Sequence, residues 1–293
     1  YISRGLYKRR EISGIEEEHG WLNSAAGQLY THHFVEDIAP DACKCSAISK
    51  PMKQAADSDD PWSVFLPPDY RQIIWGFATP IVYSSLKQLY LRLSDSPVLL
   101  DGENMSFVLE KESGKKCYML GARSLRIVWG DHPEYWEWMS LPRSRFPEVA
   151  RLRRVCWLEI TGRVKTQLLS PKTTYAAYLV YDLGRRNYGL ESLPIKGLVR
   201  FVGVSGNDGA ETEPNTVYLK ISSAKPAQMP ENGFLPQKRK DGWLEIEMGE
   251  IFNDQDNERE VEIKFWRWDD PHCKSGLIVE GFELRPKVDP QIN

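Results

Sequence analysis

Short runs in which apolar and polar residues alternate dominate the chain from about residue 98 to 286. The clearest are Val155 to Val164, Tyr175 to Leu183, Val199 to Val204, Thr216 to Ile221, Trp243 to Met248, Val261 to Trp268 and Leu277 to Leu284. A period of two places every second side chain on one face of a strand. Gly, Pro, Asn and Asp punctuate the runs, as in Gly206-Asn207-Asp208-Gly209 and Pro230-Glu231-Asn232-Gly233, which is how an antiparallel sandwich or jelly roll is spelled. In Trp157-Leu158-Glu159-Ile160 and Trp243-Leu244-Glu245-Ile246-Glu247 the glutamates share one face, which predicts strands with one wet side.

The front of the chain reads differently. Residues 1–34 carry charges, Gly and His32-His33 without sustained periodicity and read as a poorly ordered or foreign extension. The chain opens on Tyr1 and not on Met, as a fragment does. Residues 35–75 show helical spacing: Pro40-Asp41 opens a run carrying Ala42, Cys43, Ala47 and Ile48, and Pro51 breaks or bends it. Asp57-Ser58-Asp59-Asp60-Pro61 reads as a loop with N-cap residues, followed by the apolar cluster Trp62, Phe65 and Leu66. Pro67-Pro68-Asp69 starts a short helix bearing Tyr70, Ile73 and Ile74, and residues 76–97 form a linker with a second short helix from Leu86 to Leu93.

One stretch, Gly114 to Trp138, organises the rest. Leu125, Ile127 and Trp129 alternate with Arg126 and Val128, and Gly130-Asp131-His132-Pro133 then reads as a turn. Trp129, Tyr135, Trp136 and Trp138 flank that turn. In an extended segment Trp136 and Trp138 share a face and Tyr135 takes the other. Trp129 shares parity with Leu125 and Ile127 and divides evenly between core and surface; Trp136 and Trp138, flanked by Glu134 and Glu137, lean outward. Trp157 and Trp243, inside strand runs, lean to the core. Trp266 and Trp268 near His272 make a second aromatic cluster, either a rival platform or another core face.

Composition narrows the function classes. With 293 residues, 41% hydrophobic and 27% charged, the chain can bury a sizeable core. Ten Trp and thirteen Tyr are many amphipathic rings, suited to β-structure and recognition. A net charge of −3 gives no long-range pull on nucleic acid or an anionic membrane. No apolar run is long enough to span a bilayer, and the first residues do not spell a secretory leader. Cys43, Cys45, Cys117, Cys156 and Cys273 have neither disulfide-scaffold nor zinc spacing. They read as reduced thiols, Cys156 as a buried one, in a protein of the cytosol or nucleus. No metal or cofactor site is expected, and Gln237-Lys238-Arg239-Lys240 reads as a solvated loop face. Nucleophile-elbow, zinc-helix and phosphate-loop motifs are missing. Glu159 with Glu245 or Glu247 is better read as a wet face than as a glycosidase pair, so no enzyme is expected.

Specific residues resemble the plant phloem-lectin-type (nictaba-related) F-box proteins. The matching pieces include Lys87-Gln88-Leu89-Tyr90, Gly114-Lys115-Lys116-Cys117-Tyr118-Met119-Leu120, Ile127-Val128-Trp129-Gly130-Asp131, Tyr135-Trp136, Cys156-Trp157-Leu158-Glu159-Ile160, Tyr175-Ala176-Ala177-Tyr178, Asp241-Gly242-Trp243-Leu244-Glu245-Ile246 and Glu283-Leu284-Arg285-Pro286-Lys287. The resemblance implies a mainly β fold: a jelly-roll or β-sandwich lectin domain over residues 98–287, behind a short helical, partial F-box over 35–75. It also implies binding of N-acetylglucosamine oligomers or N-glycan cores, and docking to the adaptor of a cullin-type ubiquitin ligase. The family's sugar-binding pair is two Trp seven apart, which Trp129 and Trp136 match; Trp138, Asp131 and Glu134 join them as candidate sugar contacts. On the F-box side the residues expected at the adaptor interface are Ile48, Trp62, Phe65, Leu66 and Pro67. The family's opening F-box helix has no counterpart before Pro40, and a β-sandwich that binds protein without sugar is the competing expectation.

Overall fold

A computed structural model of the chain describes residues 50–190, 194–203, 213–220, 233–254, 258–268 and 272–287. The expectations for residues 1–34, for Ile48, for Cys43 and Cys45 and for the loops at 206–209 and 230–232 lie outside the described residues.

Among the described residues four short helices come first: α1 (Lys50–Asp57), α2 (Asp59–Phe65), α3 (Tyr70–Trp75) and α4 (Leu86–Asp95). Pro51 stands in the first turn of α1, where the missing N–H costs nothing; the run at 42–48 that it was expected to break or bend lies outside the described residues. The expected loop at 57–61 is also mostly helix, with Ser58 alone between α1 and α2. At the start of α4 the open amide of Leu86 donates to Asp59 Oδ1 at 2.7 Å, and the Gln88 amide to the Ser85 hydroxyl at 3.2 Å. These bonds satisfy donors that the helix itself leaves open.

The strands form two antiparallel sheets. The larger orders β1 (Val98–Leu99), β2 (Met105–Leu109), β3 (Lys116–Gly121), β14 (Ser275–Pro286), β8 (Thr173–Tyr188), β12 (Leu244–Asn253) and β11 (Gln237–Lys238). Alongside, β6 (Val149–Leu152) pairs with β14 and with β5 (Trp136–Met139). The smaller sheet orders β10 (Asn215–Val217), β9 (Ile195–Phe201), β13 (Glu260–Arg267), β7 (Leu158–Lys165) and β4 (Arg126–Ile127). This is a mainly β sandwich. Between the sheets lie Leu120, Leu179, Tyr181, Ile246, Leu277 and Phe282 from the larger, with Leu158, Ile160, Val199, Val261, Ile263 and Phe265 from the smaller, all buried. They keep the period-two pattern of their strands, which on β14 shifts by one residue at the bulge between Val279 and Gly281.

The helices share that core. Trp62, Leu66, Leu89, Tyr90 and Leu93 are buried in one cluster with Phe107 and Leu109. Gly114, at the tip of the β2–β3 hairpin with φ +65°, lets the hairpin close on the helices; a Cβ there would stand 2.6 Å from the Phe65 carbonyl oxygen. Lys116 reaches Asp69 at 3.0 Å across the same seam.

The outer face of the larger sheet is covered, not wet. Phe146, Val149, Trp243, Met119, Val180 and Ile278 form a second small core there. Beside it, Glu283 and Glu245 sit buried among Arg239, Arg145 and Arg285, with Arg239 2.5 Å from Glu283 and 2.7 Å from Glu245. The expectation that Glu245 faces solvent and that Arg239 is part of a solvated basic loop is therefore corrected: each is the other's partner. Burial alone would push the Glu283 carboxyl up, but the surrounding guanidiniums override it and hold it below its ordinary range. A carboxyl lowered by folding contributes its stability in full above the unfolded value, about 4.3, and loses it as pH falls through the folded one. Glu283→Gln should cost about 3 kcal/mol at neutral pH and should reduce the dependence of Tm on pH below about 4.3; calorimetry between neutral and acid pH tests both.

Candidate functional site

The turn after β4 is built from backbone and indole hydrogen bonds. Val128 N–H donates to the Glu159 carbonyl at 3.1 Å, continuing β4 along β7. The next residue, Trp129, takes φ +58°, a left-handed conformation that a bulky residue holds only when its surroundings impose it. Gly130 N–H then returns to Ile127 O at 2.9 Å, His132 N–H to Trp129 O at 3.0 Å, and Trp136 N–H to His132 O at 3.0 Å.

Two tryptophans brace this turn from behind. Trp136 Nε1 donates to the Val128 carbonyl at 3.1 Å and Trp138 Nε1 to the Gly130 carbonyl at 2.9 Å. Their shared face, expected from the sequence, is the face turned to the loop. Trp136 is only 2% exposed, so the expectation that its ring meets solvent and stacks on sugar is corrected. Its indole N–H is committed to a carbonyl and its ring to the core cluster. Trp138 is half-buried, and the Arg123 guanidinium lies 3.7 Å from its ring centroid, itself held by Glu148 at 2.7 Å. That ring face is covered too.

Trp129 is the indole presented outward, at 41% exposure. Parity with Leu125 and Ile127, both buried, would have sent it inward, but parity ends at a left-handed residue. Tyr135 tilts against it with ring centroids 5.2 Å apart. Asp131, His132 and Glu134 are exposed around the pair, and His132 Nδ1 lies 3.4 Å from Glu134. The result is a small aromatic ledge bordered by carboxylates. Tyr135 was not among the expected sugar contacts; its position on the face opposite Trp136 was the signal.

A second aromatic surface lies at the same end of the smaller sheet. Trp157, expected in the core, is 47% exposed because it precedes the first paired residue of β7. Its ring centroid is 5.5 Å from that of Trp268, which is 5.6 Å from Trp266. Lys264 lies over both Trp266 and Trp268, at 5.3 and 4.7 Å, and pairs with Glu159 at 3.1 Å. Trp157 Nε1 donates to the same carboxylate at 3.3 Å. Glu159 belongs to the smaller sheet and Glu245 and Glu247 to the larger, so no glycosidase-like pair is assembled from them. Trp243 is buried as expected.

The expected adaptor-interface residues point inward. Trp62 is fully buried, Leu66 and Pro67 are buried, and Phe65 is half-buried against Trp62 and Tyr90, with centroids 5.7 and 6.2 Å away. They are corrected to packing residues. Among the described residues the large apolar groups that do face solvent in this region are Val64, Trp75, Val82 and Leu91, with Trp75 and Val82 over 90% exposed. Among the described residues no cluster of His, Cys, Asp and Glu has the makings of a metal site, and no helix is long and apolar enough to cross a membrane.

The class of fold is a mainly β antiparallel sandwich with exposed aromatic rings at one end of a sheet. Comparison with known proteins makes this specific: the phloem protein 2 pattern matches residues 115–286, and the chain belongs to the phloem protein 2 family. It is 42% identical over 249 residues to F-box protein PP2-B10 of Arabidopsis thaliana, covering 84% of this chain and 87% of that one. It is 43% identical over 250 residues to putative F-box protein PP2-B12 of the same plant, covering 84% and 90%. To F-box protein PP2-B1 it is 35% identical over 286 residues, covering 84% of each chain.

The brace can be tested without any ligand. Trp136→Phe keeps the ring but removes the donor to Val128, and should cost about 1–2 kcal/mol. A loss of near-UV circular dichroism from the turn aromatics should accompany it, whereas an unchanged spectrum and Tm would mean the bond is not needed.

Proposed function

We propose that the chain is a carbohydrate-binding protein that serves as a substrate-recognition subunit of a cullin-type ubiquitin ligase, its sandwich taking N-acetylglucosamine oligomers or N-glycan cores. The observation that carries the sugar reading is the Trp129–Tyr135 ledge with Asp131 and Glu134 beside it. A pyranose lays its axial C–H face on an indole, and its hydroxyls need acceptors at the edge of the ring. The carboxylates of Asp131 and Glu134 supply such acceptors, and Trp138 contributes by holding Gly130 in place. A single shallow ledge of this size binds weakly, on the order of micromolar to millimolar. Trp129→Ala should abolish retention on immobilised chitooligosaccharide while leaving the circular dichroism spectrum intact. Unchanged retention removes the site from this turn.

The burial of Trp136 favours a second reading, a protein-binding sandwich without sugar affinity, because it leaves one outward indole where the family's binding pair has two. A glycan array with no hits beside a pull-down that recovers protein partners decides for it.

The ligase reading rests on the relatives, which are F-box proteins. Among the described residues the large apolar groups open to an adaptor are Val64, Trp75, Val82 and Leu91, of which Trp75 and Val82 are the most exposed. Complex formation belongs to the cytosol or nucleus, where such ligases work. The chain should co-purify with the ligase adaptor, and Trp75→Ala with Val82→Asp should weaken that complex at least about tenfold, the loss typical of a buried aromatic anchor. Retention of the full complex by the double variant moves the contact elsewhere.

A further inference from the structure

Cys156 was expected to be a buried, inert thiol; it is exposed, and its Sγ lies 2.7 Å from that of Cys273. The two residues are 117 apart in the chain, yet a single antiparallel bridge aligns them. Val155 N–H donates to Lys274 O at 3.0 Å, and Lys274 N–H to Val155 O at 2.6 Å. Two residues that exchange both bonds make the next pair, Cys156 and Cys273, directly opposite in the non-hydrogen-bonded position. Cα atoms there stand about 4.5 Å apart, inside the span of about 4.4–6.8 Å that a disulfide bridges. The backbone on either side is clamped as well: Lys274, fully buried, donates from Nζ to Cys156 O at 2.8 Å and to His272 O at 3.0 Å.

We propose that Cys156 and Cys273 form a reversible disulfide that staples the start of β7 to the start of β14 beside the Trp157–Trp268 surface. The two sulfurs are not equivalent. The hydrogen bond the two sulfurs share, in which either can donate, and the Arg154 guanidinium that bonds to Cys273 together hold the Cys273 thiol below its ordinary value; the same shared bond raises Cys156. Cys273 is therefore the attacking thiolate. With a hydroperoxide as oxidant, Cys273 Sγ takes the terminal oxygen, the O–O bond breaks, and the leaving oxyanion is protonated to water or an alcohol. The sulfenic acid so formed is attacked by Cys156 as thiolate; the S–S bond forms, the S–O bond breaks, and hydroxide leaves with the Cys156 proton as water. Two thiols lose two hydrogens in all, and a small thiol in excess restores them by exchange. Cys117, the third described cysteine, takes no part: it is buried, and burial pushes its thiol far up.

The full chain, freed of reductant and given stoichiometric hydrogen peroxide, should yield on digestion a cross-linked peptide pair containing Cys156 and Cys273, lost again on treatment with dithiothreitol. In Cys156→Ser a sulfenic acid should accumulate at Cys273 and be trapped by dimedone. In Cys273→Ser, dimedone labelling of Cys156 should fall several-fold below that level. Intrinsic tryptophan fluorescence should drop on oxidation of the wild type, through quenching of Trp157 by the adjacent disulfide, and in neither variant. A map in which these two cysteines stay reduced, pair with Cys43 or Cys45, or cross-link between chains overturns the proposal. Equal dimedone labelling in the two variants overturns the assignment of Cys273 as attacking thiol.

Discussion

Two indole N–H groups hold the turn on which the candidate sugar site depends. Trp136 and Trp138 each donate to a carbonyl eight residues earlier, at Val128 and Gly130. The two acceptors flank Trp129, the one residue of the turn with a left-handed backbone. A non-glycine residue held there carries a strain of about 1–3 kcal/mol, and hydrogen bonds on both sides are what keep it from relaxing into an extended strand. Were it to relax, Trp129 would fall back into the parity of Leu125 and Ile127 and turn toward the core. Outward display of one tryptophan thus requires inward commitment of another. The seven-residue spacing between Trp129 and Trp136 is a spacing of platform and brace, and loss of binding on mutating either would not show that both touch ligand.

The two sheets treat their outer faces differently, and that difference places the chemistry. The segment between β5 and β6 folds over the larger sheet, bringing Phe146 onto Trp243 and Val180, with Arg145 and Arg239 closing on Glu283. Buried charges in such number are tolerable only when each finds partners, and here each carboxylate has at least two. Among the described residues nothing comparable covers Glu159, Lys264 and Trp266 on the smaller sheet; they pair among themselves and remain half-exposed. Trp129, Trp157 and Trp268, three of the exposed indoles, gather at its end. Among the described residues the larger sheet is sealed by its own chain, and the smaller is the one whose outer side chains stay partly open.

Much of this was legible in the residue pattern, and the failures have physical causes. The runs at 175–183, 243–248, 261–268 and 277–284 correspond to β8, β12, β13 and β14, because alternation is enforced wherever a face is buried. Strand β3 hid from the same test: all six of its residues are buried, so alternation disappears. Trp157 and Cys156 were misplaced together, since the run beginning at Val155 starts as a single bridge and becomes a paired strand only at Leu158. The turn bonds of Trp136 could not be read from sequence at all; an indole flanked by glutamates looks exposed until its N–H is seen to have a partner.

The seam between helices and sandwich bears on how such a protein would work. Trp62 and Leu66, apolar and near the front of the chain, look like contacts for a partner, yet they are spent on Tyr90, Leu89 and Phe107. Gly114 admits the β2–β3 hairpin against the Phe65 carbonyl, and Lys116 crosses to Asp69. The helices are therefore packed into the same core as the strands rather than hung on a linker. A linker would let a bound target sample many orientations; a shared core fixes the angle between whatever the helices hold and whatever the sandwich holds. For a receptor that must present one macromolecule to another, that rigidity replaces the entropy of a flexible tether with a set geometry. The seam thus sets how the helices sit against the sandwich before either meets anything else.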